Sequence, residues 1–140
     1  MTTVINAEGI LTDPGLHDGL LLGVVLRPDG EELTLICQDA DGRAIRITVP
    51  ELERLRVDRF LQGNIIFEVT IREGDQCAPD SVKWAWSYDH NDEEVEVSRN
   101  LPEWMRWIKD NHWTLVEVRT SYGCDLFAVS RARADQIRIE

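Results

Sequence analysis

Long apolar runs are missing from this sequence, and none approaches the ~20 residues that a membrane-spanning helix requires. A helical membrane anchor is therefore not expected. Paired cysteines are missing as well. Cys37, Cys77 and Cys124 are odd in number and show no C-x-x-C spacing, which argues against a disulfide or metal staple and fits a reducing compartment. The opening MTTVINAEG has no basic stretch ahead of an apolar one, so it does not read as a secretory signal, and a cytoplasmic location is expected.

Basic residues are scarce: 15 Lys and Arg stand against 26 Asp and Glu, a net charge of −11. A field of that sign repels phosphate, which excludes nucleic acid and anionic membrane as partners. It favours a basic protein surface, and it also fits plain solubility. Glycine-rich phosphate loops (G-x-x-x-x-G-K, G-x-G-x-x-G) and the G-x-S-x-G nucleophile elbow are absent, so the common nucleotide and hydrolase signatures are excluded.

What is present reads as a globular chain. At 140 residues, with 43% hydrophobic and 29% charged, residues 1–140 are expected to form a single domain with a core that needs no staple. Two β-branched apolar runs, GLLLGVVL (19–26) and EELTLICQ (31–38), flank Pro28-Asp29-Gly30, and RAIRITVP (43–50) follows Asp39-Ala40-Asp41-Gly42. Those turn residues predict a three-stranded meander. ELERLRVDRF (51–60) fits both helical and extended periods and reads as a solvated connector. NIIFEVTIRE (64–73) predicts a strand with Ile65, Phe67, Val69 and Ile71 on one face, and residues 74–81 a loop. Val82, Trp84, Trp86 and Tyr88 alternate at period two, predicting a strand that returns through 95–97 as a hairpin; a helix starting at Asp80 or Ser81 is the competing reading. A helix is expected over 102–111, opened by Pro102 and striped by Leu101, Trp104, Met105 and Ile108. Strands at 113–120, 124–130 and 135–140 complete the chain. Short turns imply antiparallel pairing. The expected fold is α+β, mainly β: a large curved antiparallel sheet of several hairpins with one packed helix.

The chemistry-bearing residues form no recognisable site. His17, His90 and His112 are far apart, and His17-Asp18 lacks the further ligands of a metal phosphohydrolase. The acidic loop DHNDEE places Glu94 where a calcium loop needs glycine and Asn100 where it needs a bidentate glutamate. Cys37 reads as a buried strand residue, Cys77 has acidic neighbours that disfavour a thiolate, and Cys124 follows a turn glycine. No catalytic, cofactor or metal residue is assigned, and the protein reads as a non-enzyme. For the tryptophans, core packing is the ordinary role. Aromatics beside acids are also the composition of a surface that meets a basic partner. The candidate partner-binding residues are Trp84, Trp86, Tyr88, Asp89, Asp92, Glu93, Glu94 and Trp107.

FLQGNIIFEVTI (60–71) and VRTSYGCDLFAV (118–129) resemble strand signatures of small, acidic, single-domain bacterial proteins. Many of these families are uncharacterised, and some serve as immunity proteins to polymorphic toxins. The resemblance covers roughly His17 to Phe67 and the C-terminal hairpin and carries over no functional residue. It implies a cytoplasmic, non-enzymatic protein that acts by binding. The alternative is a small-ligand binder or enzyme whose site is an aromatic-lined cavity in the curved sheet.

Overall fold

The computed structural model describes residues 2–87 and 93–140, and over 93–98 the backbone alone. β1 (Val4–Ile5) and β2 (Leu11–Asp13) pair as a small ribbon. β3 (Leu20–Leu26), β4 (Leu33–Gln38) and β5 (Ala44–Val49) form the expected meander. Its turns hold glycine where the backbone is left-handed: φ is 74° at Gly30 and 89° at Gly42. Asp39 locks the second turn by accepting the N–H groups of Asp41 and Arg43 at 3.0 and 2.8 Å and the Arg43 Nε at 2.7 Å. The backbone donor of Arg43, more than any other group, holds the Asp39 carboxyl below the usual range.

β6 (Leu52–Asp58), β7 (Asn64–Glu73), β8 (Thr114–Tyr122), β9 (Asp125–Ser130) and β10 (Arg138–Ile139) join the meander in one antiparallel sheet of eight strands, ordered β10-β5-β4-β3-β7-β8-β9-β6. Residues 52–58, expected as a connector, are an edge strand on β9. The extended alternation won because β9 offers partners from Leu52 to Asp58, interrupted only by a bulge at Glu53.

β3 and β7 pair only at Leu20 with Ile65 and Leu21 with Asn64, so the sheet consists of two halves joined at one narrow seam. β5 runs straight into β6 through Pro50 and Glu51, whose φ is +48°. There the Leu52 N–H bonds the Glu31 carbonyl at 3.0 Å. The chain thus steps from one half to the outer edge of the other, and the sheet rolls over one face. Leu21, Leu35, Ile45 and Ile47 from the first half meet Ile66, Val69, Val118 and Leu126 from the second in that interior. Each such fully buried side chain stabilises by about 1.5–3 kcal/mol. No described aromatic side chain belongs to this cluster.

β7 does not present one apolar face. Its register shifts on either side of Ile66, and each extra residue turns the following side chains over. Ile66, Val69 and Ile71 therefore point inward, while Phe67 is exposed.

Among the described residues two α-helices, not one, pack on the outer face. α1 (Pro79–Trp86) and α2 (Glu93–Asp110) replace the expected hairpin. Pro79 occupies the start of α1, where its missing N–H is no loss, and Asp80 lies in the first turn. Residues 95–97 are helical, and α2 continues through Pro102, which lies inside the helix and not at its start. The expected stripe of Leu101, Trp104, Met105 and Ile108 does face inward. It packs with Val82 and Ala85 of α1 against Leu115, Phe127 and Val129 to form a second core.

Candidate binding site

Successive helical residues are about 100° apart, so positions two apart lie on nearly opposite sides. The sequence alternation of Trp84 and Trp86 therefore separates them. Trp86 stacks on Trp104, ring centroids 5.0 Å apart and 10° from parallel, and joins α1 to α2. Trp84 is turned outward and is 48% exposed.

The surface around Trp84 is concave and polar. A recess of about 620 Å³ is lined by Arg56, Asp58, Arg59, Trp84, Asp125 and Phe127 among others. Edge strand β6 supplies the arginine that faces the ring: the Arg56 guanidinium lies 5.2 Å from the Trp84 centroid, a cation–π contact. Its Nε bonds both oxygens of Asp58, at 3.1 and 3.0 Å. Arg54 on the same strand donates to the Ala85 carbonyl at the end of α1, 3.3 Å away, which fixes the helix against the sheet. A second recess of about 470 Å³ shares Trp84, Asp125 and Phe127 and adds Ser81, Glu117 and Arg119.

Glu117 is the residue the sequence reading missed. It is a carboxylate on the outer face of β8 that α1 covers, and only 7% of it is exposed. Ser81 Oγ donates to Glu117 Oε2 at 3.0 Å. Among the described residues Oε1 has no hydrogen-bond donor, and since no buried side-chain oxygen there is left unbonded, Oε1 is accessible, and Glu117 lines the recess. Burial raises the Glu117 pKa above the usual glutamate range, against the opposing pull of the Ser81 hydroxyl and of Arg119 and Arg72. Both arginines are engaged elsewhere: Arg119 with Glu68 at 3.2 Å, Arg72 with the Glu8 carbonyl at 2.9 Å. A signal did exist. In TLVEVRT, period two places Glu117 on the same face as Leu115, and a helix read over 79–86 would have covered both.

The other candidates scatter. Trp107 is 37% exposed and tilts against Trp113 at 6.3 Å, on the far helix. Trp86 is half-buried in the second core. Glu93 and Glu94 open α2 and do not belong to a turn. Tyr88, Asp89 and Asp92 lie outside the described residues.

Burial pushes the Cys37 and Cys77 thiols up to about 12 and that of Cys124 to about 11, which leaves no nucleophilic thiolate near neutrality. His17 Nδ1 donates to the Phe67 carbonyl at 2.9 Å, a packing role. Among the described residues no three His, Cys, Asp or Glu side chains gather as metal ligands, and no helix is long and apolar enough to cross a membrane.

The two sequence stretches LQGN and SYGC meet at Asn64, which is fully buried. Its Nδ2 donates to the carbonyls of Leu21 and Leu61, at 3.2 and 2.6 Å. Its Oδ1 accepts the N–H groups of Leu61 and Cys124, each at 2.9 Å. Gly123, at φ 107°, packs so closely on Asn64 that any side chain there would collide with it. These motifs build the seam of the sheet.

No protein-family model matches the chain, and none of the curated proteins compared with it matches either. Among solved structures the chain is similar to an uncharacterized protein from Neisseria gonorrhoeae, with 12% sequence identity, a TM-score of 0.48, and coverage of 89% of this chain and 92% of that one.

Proposed function

We propose that this protein acts by binding, with the Trp84 surface as its docking face and a basic protein as its partner, in the manner of an immunity-type inhibitor in the bacterial cytoplasm. The observation that carries this reading is the outward tryptophan on α1, nearly half exposed above two polar recesses. An exposed tryptophan flanked by an arginine and carboxylates has the composition of a protein-interface anchor. The net charge of −11 raises the encounter rate with a basic surface and lowers it with nucleic acid. Three buried free thiols suit a reducing compartment.

The test is affinity capture from source lysate on immobilised wild-type protein and on Trp84→Ala, with mass spectrometry of what each retains. A basic protein held by the wild type and lost from the variant, at unchanged melting temperature, supports the reading. Equal recovery on both surfaces removes Trp84 from the interface. If the wild type retains only acidic proteins, the charge argument falls.

A further inference from the structure

Glu117 is nine-tenths buried, yet among the described residues only its Oε2 has a donor; the second donor, to Oε1, comes from whatever occupies the recess, water or a ligand. The nearest cations do not supply the second. Arg72 and Arg119 are turned toward the Glu8 carbonyl and Glu68. Oε1 opens to a recess whose other walls hold Trp84 and Phe127, the carboxylates Asp80 and Asp125, and the arginines Arg72 and Arg119, so that with Glu117 the acids outnumber the bases. An acceptor at the floor and flat apolar rings at the side suit a group with a charged, donating tip and an apolar stem. Arginine and lysine have that form.

We propose that Glu117 Oε1, in the recess it shares with Trp84, receives an arginine or lysine side chain of the protein partner. This deepens the binding reading above and rests on it. The incoming cation donates to Oε1 in a charge-assisted bond, stronger than a neutral one. Its methylene stem lies along Trp84 and Phe127. The field of the −11 chain raises the encounter rate with a cation, and Glu117 Oε1 offers it an acceptor inside the recess. A neutral amide could donate to the same oxygen but would gain neither the charge-assisted bond nor the steering.

The test uses arginine amide as probe and citrulline amide as its neutral isostere, followed through the Trp84 indole N–H resonance of the full chain. Arginine amide is expected to shift that resonance saturably and to bind at least tenfold more tightly than citrulline amide. Glu117→Gln keeps an acceptor for Ser81 and removes the charge, and should weaken arginine amide at least tenfold with the melting temperature not lowered. Trp84→Leu, read by calorimetry, should weaken it at least threefold with Glu117 in place. Asp135→Asn, which removes an equal charge from an exposed position that lines neither recess, should change nothing. Undiminished binding by Glu117→Gln, or an equal loss in Asp135→Asn, would overturn the proposal. A partner captured through Trp84 that binds Glu117→Gln with unchanged Kd would also overturn it and leave the broader binding role standing.

Discussion

Asn64 makes four hydrogen bonds from a fully buried position. Asn64→Ala would strand two carbonyls and two N–H groups at the seam, each costing about 1–3 kcal/mol unless water enters. A loss of at least about 3 kcal/mol is expected in urea melts; a loss under about 1 kcal/mol would show that the seam rearranges freely. Glu117 behaves in the opposite sense. Its folded pKa lies above its unfolded one, so between those two values the folded state holds more proton than the unfolded chain, and stability falls as pH rises through that window. Glu117→Gln lacks this penalty. It should therefore melt higher than wild type at neutral pH, with the gap closing as pH falls below the ordinary glutamate range. A gap that widens on acidification would mean that the Ser81 bond and the two arginines outweigh burial.

At the scale of elements, the meander was legible because its turns depend on single residues: only a few residue types accept the φ of Gly30 and Gly42. β7 was legible in its bounds and illegible in its faces, because bulges flip side chains without changing composition. The candidate site was lost where two periods coincided. Val82, Trp84 and Trp86 satisfy a strand, whereas Val82, Ala85 and Trp86 satisfy a helix. The deciding signal was Pro79, which suits a helix start and cannot donate in a strand. The helical stripe on α2 survived a nine-residue error in its start, since its phase does not depend on where the helix begins. That phase predicts unequal tryptophans. Trp104 stacks on Trp86, and Trp104→Ala should cost about 2–3 kcal/mol, below the ~3–5 of a fully buried large residue. Trp107→Ala should cost no more than about 1 kcal/mol. Equal losses in parallel denaturant melts would contradict the observed packing of α2.

For the molecule as a whole, charge and thiols give the measurable consequences. A net charge of −11 repels itself in the compact state, while the exposed ion pairs, such as Arg27–Asp29 at 2.8 Å, contribute little each. Screening should therefore help more than it harms. Raising NaCl from about 0.02 M to about 0.3 M shortens the Debye length to well under 10 Å and is expected to raise the melting temperature; a fall would mean that the ion pairs dominate. The three cysteines are buried and free, so a thiol reagent should label none of them in the native protein and all of them in denaturant. Rapid native labelling of Cys124, next to the turn at Gly123, would show that the seam opens.

The strand order has a consequence for how a ribosome delivers this chain. β6 leaves the meander early, yet its ladder partner β9 lies far downstream, with Leu52 opposite Ser130. β5 waits for Arg138 and Ile139 before its outer edge is covered. Until those strands arrive, Ile45, Ile47 and Val49 belong to a meander whose outer edge is bare and whose apolar face lacks Leu126, Ala128, Ile137 and Ile139. A nascent chain stalled before residue 125 presents that face and two open strand edges to its neighbours. Such a chain is the form most in need of a chaperone, and the pairing of residues 125–130 and 138–139 is the event that removes the hazard.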